Sequence, residues 1–314
     1  MAWNSLWPVV DGHADTLTAL ENQQRNFWEE SPRGQLDLPR LGRAGIDLQV
    51  LAVCAERRLS PKNWARNLIG LFVEEVAANS GKVLLLREKD DWARWRLTGI
   101  PGLLIALEGL EALEGEPGAL EEFYRQGVRM ASLTWNHGNA FAGGALEHGG
   151  LTSAGREVIR RMEGLGMVLD LSHLNAESFW QVIREEPRCP VLASHSNAAA
   201  LLRHPRNLDD EQIRAVSDLG GTVGVALYPP FLTGAAASVA DAVRHLEHIG
   251  AIGGDDCPAL GCDFDGVGQT LDDLADVSKL PALFAALGGS ERGSSNLGRI
   301  LGGNLYRVLR RTGG

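Results

Sequence analysis

Eight short apolar segments, separated by longer amphipathic stretches, recur along the whole 314-residue chain. Short apolar runs rich in β-branched residues are typical of buried strands, and the stretches between them are typical of helices. Regular alternation of this kind indicates a parallel α/β fold, and eight units in one continuous run favour a (β/α)8 barrel of the TIM type. The predicted strands are Val9–Asp15, Asp47–Val53, Leu103–Glu108, Arg129–Trp135, Met167–His173, Val191–Ser196, Thr222–Leu227 and Ala259–Asp263.

The segments between these strands include four with a clear helical pattern. They are Asn63–Asn79, Ser153–Leu165, Asp210–Leu219 and Val239–Ile249. Asp209 followed by Gln212 is typical of a capping box at a helix start. A doubly wound open sheet is the alternative fold, but no glycine-rich phosphate loop follows the first strand. Because we find neither internal repeats nor a low-complexity linker, we expect residues 1–314 to form a single domain.

Composition limits the classes of partner and the compartment. The apolar fraction of 44% and the charged fraction of 22% are those of a globular protein. A net charge of -10 disfavours nucleic acid and anionic membranes as partners. The sequence has no recognisable secretory signal or hydrophobic C-terminal tail, and its four cysteines show no CxxC spacing. We therefore expect a cytoplasmic protein with reduced thiols.

The segment DGHADT follows the first apolar run, and it places His13 two residues before Asp15. Residues i and i+2 of a strand point to the same face, so both side chains could converge on one metal ion. A surface turn in which Asp15 caps the next element would explain the same residues. The rest of the chain has to decide between the two.

Ionisable residues end six of the eight predicted strands. Active sites of (β/α)8 barrels form at the C-terminal ends of the strands, so these residues are candidates for one site. Each alone could be a buried structural histidine or a helix-capping aspartate, but a single site explains them all. The strand-end residues are His13, Asp15, Glu108, Trp135, Asn136, His137, His173, His195, Asp263 and Asp265.

Three histidines and at least two carboxylates suit zinc or a similar first-row ion and are enough for two metals. Glu108 is the natural bridging ligand, because a carboxylate has two oxygens to share. A bridged pair of ions about 3.5–4 Å apart would hold a hydroxide that can attack an amide or ester carbonyl. Asp263 would then remain near the metals as a carboxylate suited to proton transfer.

The chain resembles the membrane dipeptidase (renal dipeptidase) family of zinc peptidases, within the amidohydrolase-type barrels. The resemblance implies one metal on His13 and Asp15, a second on His173 and His195, and Glu108 bridging the two. The order and spacing of the matching segments agree from end to end. They are DGHADT, ALEG, GLTSAGREVIRRMEGLGMVLDLSH, ASHSNAAALLRHPRN, GGTVGVALYPPFL, GCDFDGV, DVSKLP and ILGGNLYRVL.

The same resemblance implies roles in catalysis and substrate binding. Arg206, in HPRN, corresponds to the arginine that holds the terminal carboxylate of the substrate, a task that suits a planar guanidinium. Asp263 corresponds to the residue that passes a proton to the leaving amine, and Asp265 is expected to be structural. The implied activity is hydrolysis of small dipeptides, including those with a C-terminal D-residue.

One departure from the family concerns the fourth strand. Family members from mammals read LTH there, with the histidine contacting the substrate, whereas this chain reads LTWNHGN. Trp135 thus replaces that histidine, and His137 follows two residues later. We expect Trp135, Asn136 and His137 to line the substrate site, either with His137 reaching in from the loop or with the histidine's role lost. Trp135 could stack on an apolar substrate side chain or simply pack.

Two other functions remain open at this stage. One is hydrolysis of another small amide, such as an N-acyl amino acid, in a pocket reshaped by Trp135. The other is a non-catalytic metal-binding descendant, which is less favoured because the chain keeps both Asp263 and Arg206. We expect a homodimer, to which the N-terminal tryptophans Trp3, Trp7 and Trp28 could contribute, although they could equally pack over the barrel floor.

Overall fold

The structure is a computed structural model that describes residues 6–312. Within it the chain divides into two compact units. The described part of the first unit comprises residues 6–50 and 193–308, and that of the second comprises residues 51–192 and 309–312. Trp3 lies outside the described residues.

Nine strands run through the described residues, in parallel pairs. The strands are β1 (Val10–Asp11), β2 (Leu48–Cys54), β3 (Leu84–Leu85), β4 (Gly102–Glu108), β5 (Val128–Ser132), β6 (Val168–Asp170), β7 (Val191–Leu192), β8 (Val223–Val225) and β9 (Pro258–Leu260). The helices are α1 (Thr16–Gln23), α2 (Leu38–Ala44), α3 (Pro61–Ala78), α4 (Lys89–Thr98), α5 (Leu120–Gln126), α6 (Ser153–Leu165), α7 (Ala176–Arg184), α8 (Asp210–Asp218), α9 (Pro229–Leu232), α10 (Val239–Gly253), α11 (Leu280–Gly288), α12 (Gly293–Gly298) and α13 (Asn304–Leu309).

The strand order is regular within each unit. In the first unit β2 is followed by β1, β9 and β8, with Val10 opposite Leu48 and Asp11 opposite Leu260. The boundary between the units falls within β2, whose residues from Leu51 onward belong to the second unit, where β4, β5, β6 and β7 follow in order and the short β3 pairs with β4. The residue that follows β7, Ala193, pairs with Val223 of β8 inside the first unit. Neighbours in this order are mostly neighbours in sequence, as in a singly wound α/β fold.

All eight predicted strands are present, although most are shorter than predicted. The apolar pattern continues past the last ladder hydrogen bond, so it overestimates strand length. The short strand β3, with only two residues, was not predicted. Helix α6 has the predicted bounds, and α3 begins two residues early because Pro61 is well suited to the first helical turn.

The longest strands form the centre of the core. Every residue of β4 is buried, and so is every residue of β2 except Cys54. Strands buried on both faces are typical of parallel sheets covered by helices. Helix α6 covers the sheet with one apolar stripe, in which Val158, Ile159 and Met162 are buried.

Among residues 6–312, no helix combines the length and the apolar composition that crossing a membrane requires.

Candidate metal centre and substrate site

The segment that carries His13 runs beside the segment that carries Asp263, both in the first unit. The Asp263 amide donates to the His13 carbonyl at 3.1 Å, and the Asp15 amide donates to the Phe264 carbonyl at 2.9 Å. DGHADT therefore leaves β1 and extends alongside GCDFDGV instead of ending in a free turn. This pairing brings the side chains of His13, Asp15 and Asp263 to one place.

His13, His195 and Asp263 form a buried cluster whose candidate ligand atoms all lie within 4.8 Å of one another. The two imidazole rings are 3.8 Å apart between centroids, and His13 Nε2 lies 3.5 Å from Asp15 Oδ2. Imidazole nitrogens and carboxylate oxygens are the ligands that zinc and similar ions take. The donor set therefore fits a divalent first-row metal.

Gly266 leaves the two carboxylates the space they occupy. A Cβ atom at this position would lie 2.1 Å from Asp15 Oδ2 and 2.5 Å from Asp263 Oδ1. Both distances are far below van der Waals contact, so any other residue here would displace the carboxylates. The cluster is thus built by close packing of the backbone as well as by its polar side chains.

Burial raises the pKa of carboxylates in and beside the cluster. Burial, helped by the nearby Asp15 carboxylate, raises the pKa of Asp263 to about 7 against the opposing effect of His13 and Arg206. Two residues before His13, burial also raises the pKa of Asp11, which accepts hydrogen bonds from the Cys262 amide and the Gln49 side chain. Negative charge is therefore costly here without a cation nearby.

Arg206 is buried in the first unit, with only 3% of its surface exposed. Its Nη2 donates to the carbonyl oxygen of His195 at 3.0 Å, and its guanidinium lies 5.7 Å from the centroid of the Phe231 ring. Burial lowers the pKa of His204, and the Arg206 charge lowers it further. A guanidinium is planar and can present two parallel N–H donors to one carboxylate, so Arg206 has the chemistry to hold an anion.

Two further predicted ligands meet in the second unit. Glu108 is the last residue of β4, and His173 follows β6 with a positive φ of 70°. Glu108 Oε1 lies 2.8 Å from His173 Nε2. The other ring nitrogen of His173, Nδ1, lies 2.9 Å from Asn136 Oδ1. This arrangement leaves Nε2 directed at the carboxylate.

Trp135 and His137 lie in different environments. The Trp135 ring stacks on the His173 imidazole, with 5.9 Å between centroids and an interplanar angle of 29°. His137 is on the surface, and its Nδ1 lies 2.9 Å from Glu147 Oε1. Trp135 and Asn136 are thus in direct contact with a predicted metal ligand, whereas His137 faces Glu147 and lies 6.1 Å from the Trp135 ring between centroids.

Asp265 is held in a structural network, as its expected role requires. Its carboxylate accepts hydrogen bonds from the Thr16 hydroxyl, the Arg25 guanidinium and the Gln35 amide. Its own amide donates to the Gln35 side chain at 2.7 Å. The network fixes the turn that carries Asp263.

Two residues of the candidate site were not predicted from the sequence. One is Gly266, and the other is Ser194, whose hydroxyl contacts two histidines of the cluster. The sequence ASHSN shows a histidine between two serines, but it does not indicate which serine faces the site. The GCDFDGV segment does contain Gly266, although only the structure shows the carboxylates beside it.

The fold and the donor set define the class as a metal-dependent hydrolase with a (β/α)8 barrel, and comparisons with known proteins make this more specific. Residues 4–313 match the model of the membrane dipeptidase family, peptidase family M19. The chain therefore belongs to this family.

Similar proteins include an uncharacterized dipeptidase of Schizosaccharomyces pombe, which is 33% identical over 98% of this chain and 81% of its own length. A dipeptidase of Aspergillus oryzae is 31% identical over 96% of this chain and 77% of its own length. Among solved structures, a metallopeptidase of Rhodobacter sphaeroides, liganded with a phosphinate mimic of the dipeptide L-Ala-D-Ala, superposes with a TM-score of 0.89. It is 27% identical, and the match covers 98% of this chain and 99% of that one. The predicted family, barrel fold and dipeptidase class are confirmed.

Proposed function

We propose that this chain hydrolyses small dipeptides, including those with a C-terminal D-residue, with two zinc ions as cofactors. The observation that carries the proposal is the buried cluster of His13, His195 and Asp263, with candidate ligand atoms within 4.8 Å of one another. Family membership and the dipeptide mimic bound to the Rhodobacter sphaeroides protein support the substrate class.

The proposed metal ligands are the five residues named from the sequence, with Glu108 shared between the two ions. They are His13, Asp15, Glu108, His173 and His195. When bound, the ions would polarise the scissile carbonyl and lower the pKa of a water molecule, which supplies a nucleophile at neutral pH. Five ligands are enough for two ions, and their mixed nitrogen and oxygen chemistry suits zinc.

Arg206 is proposed to hold the substrate by its terminal carboxylate. A buried guanidinium binds a carboxylate strongly and in one orientation, because its planar N–H groups match the two carboxylate oxygens. Fixing that end positions the peptide bond relative to the reacting groups, which lowers the entropic part of the barrier. Asp263 is proposed to take up the proton of the attacking water and deliver it to the leaving amine.

Trp135, Asn136 and His137 are proposed to line the substrate pocket. The stacking of Trp135 on His173 places an aromatic ring beside a proposed ligand, where mammalian family members carry a histidine. This difference favours a second candidate function, hydrolysis of another small amide such as an N-acyl amino acid, because Trp135 changes the shape of the pocket while Arg206 can still hold the carboxylate of such a substrate.

The deciding experiment is a hydrolysis panel of L-L dipeptides, L-D dipeptides and N-acyl amino acids. The purified protein is assayed with zinc and after chelation, and its metal content is measured on the same sample. Chelator-sensitive cleavage of L-D dipeptides with about two metals per chain supports the proposal. Two metals with cleavage of N-acyl amino acids alone would support the second candidate, and neither metal nor cleavage would indicate a non-catalytic descendant.

Compartment and assembly are also proposed. A reducing, cytoplasmic environment agrees with the four cysteines, all within the described residues and none in a disulfide. A homodimer is proposed from the family resemblance, and sedimentation of the purified protein tests it. Neither proposal affects the assignment of the site.

A further inference from the structure

The hydroxyl group of Ser194 lies between the two histidines of the buried cluster. Its Oγ is 2.7 Å from Nδ1 of His195 and 3.4 Å from Nδ1 of His13. The three side chains are buried in the first unit, with the two rings 3.8 Å apart. One hydroxyl oxygen thus faces the same nitrogen, Nδ1, of both proposed ligands.

A neutral imidazole carries its proton on one ring nitrogen only, and the hydrogen bond made by that nitrogen selects the tautomer. The hydroxyl oxygen has two lone pairs, so it can accept from both Nδ1–H groups at once. Each Nε2 is then left unprotonated and able to bind a metal. Groups that orient ligand histidines in this way affect metal affinity although they do not touch the metal.

We propose that Ser194 is a positioning residue that fixes both His13 and His195 in the Nδ1-protonated form, with Nε2 directed at the metals. The inference rests on the proposed function only in taking these two histidines as metal ligands. Histidine ligands of metals commonly donate to a carboxylate or a backbone carbonyl. Here one neutral hydroxyl serves two rings.

The backbone of Ser194 is held where this geometry requires it. A Cβ atom at Gly224 would lie 2.0 Å from the Ser194 carbonyl oxygen, and one at Gly261 would lie 1.7 Å from it. Only glycine therefore permits β8 and the residue after β9 to approach this carbonyl so closely. The flanking residues are also paired, since the Ser196 amide donates to the Gly224 carbonyl at 2.7 Å.

The second unit shows the same kind of arrangement at His173. There the Asn136 side-chain oxygen lies 2.9 Å from Nδ1, and Nε2 faces Glu108. The neutral oxygen acceptor on Nδ1 therefore recurs at the third proposed histidine ligand, on a different strand and from a different residue type. This recurrence is independent support for the role of Ser194.

The first test uses the metal-free wild-type protein, so it does not depend on a variant that folds. Long-range proton–nitrogen NMR at alkaline pH, where imidazoles are neutral, distinguishes the two tautomers of each histidine. Substitution of single histidines assigns the signals of His13 and His195. We expect both to be protonated on Nδ1, and an Nε2-protonated tautomer at either one overturns the inference.

The second test compares Ser194→Ala with Ser196→Ala, a matched control. Ser196 is as buried as Ser194, and its hydroxyl oxygen has no hydrogen-bond partner among the described residues. Zinc affinity is measured by competition with a chromophoric chelator. We expect Ser194→Ala to weaken zinc binding by about 10- to 100-fold and to shift the histidine signals, with Ser196→Ala like the wild type.

The outcomes separate this inference from the proposed function. Equal zinc affinity in Ser194→Ala and the wild type overturns the role of Ser194 and leaves the dipeptidase proposal standing. A wild-type protein that binds no zinc contradicts the proposed function, and the tautomers measured in the metal-free protein then decide the inference by themselves. If Ser194→Ala does not fold, the tautomers again decide.

Discussion

His13 occupies the most crowded position of the candidate metal centre, with 1% of its surface exposed and its ring against that of His195. We predict that His13→Ala loses bound metal and dipeptide hydrolysis together, because the substitution removes a proposed metal ligand. The rate of hydrolysis should fall by more than about 100-fold. Metal analysis and kinetics on the same sample measure this. His248→Ala is the control, because His248 pairs with Asp210 away from the cluster. A His13→Ala protein with two metals per chain and full activity would refute the assignment.

Arg206 allows the substrate contact to be tested separately from the metal. We predict that Arg206→Lys keeps its metal but loses about 2 kcal/mol of substrate binding in the transition state, or roughly 30-fold in kcat/KM, because a lysine cannot bind a carboxylate bidentately. The matched substrate is the same dipeptide with a C-terminal amide, which should be equally slow with both enzymes. Loss of metal in the variant would instead indicate that the contact with the His195 carbonyl dominates.

The residue types of the site could be predicted from the sequence, but their contacts could not. His13, Asp15, Glu108, His173, His195 and Asp263 all follow apolar runs, and this position relative to the strands suggested a common site. The hydrogen bonds of Asn136 and Ser194 depend on loop conformations, such as the positive φ of 70° at His173. Such backbone geometry leaves no period or composition signal in a sequence.

At the level of whole elements, strand positions were predicted well and strand ends poorly. The first predicted strand ran to Asp15, whereas β1 ends at Asp11. Beyond β1, Ala14 still pairs with Phe264, but only through an isolated bridge outside the regular strand ladder. Functional residues concentrate in these stretches, since they need orientations that a continuous strand does not provide.

Strand β5 is anchored at its start by a buried arginine. The Arg129 guanidinium donates to the carbonyls of Arg87, Tyr124 and Val128 and pairs with Glu88, and burial lowers its pKa. We predict that Arg129→Ala lowers the free energy of unfolding by about 3 kcal/mol, because three carbonyls lose a donor and a cavity forms where the buried side chain was. Urea unfolding measures the change. The exposed Arg125→Ala should stay within about 0.5 kcal/mol of the wild type, and equal stability of both variants would contradict the prediction.

For the whole molecule, the class of fold followed from the alternation of eight apolar runs with amphipathic stretches. Every strand and helix needs apolar residues where it is buried, so the alternation can be recognised in the sequence even where the ends of single elements are predicted wrongly. The expectation of a single domain over residues 1–314 stays a prediction. The extra strand β3 was missed because two residues are too few to form a pattern.

Metal binding should be visible in the stability of the entire chain. The proposed ligands are buried, and the unfolded chain does not hold them together, so a bound ion stabilises the folded state alone. At a free zinc concentration of about 1,000 times Kd, one site adds roughly 4 kcal/mol to the free energy of unfolding. We predict that chelation lowers the Tm of the wild-type protein by several degrees and that added zinc restores it.

The His13→Ala variant should show a smaller shift, because it lacks one proposed ligand. An identical Tm for the wild type with and without zinc, at concentrations where metal analysis finds the ions bound, would mean that those ions bind the unfolded chain as well as the folded one, and the buried cluster would not be their site.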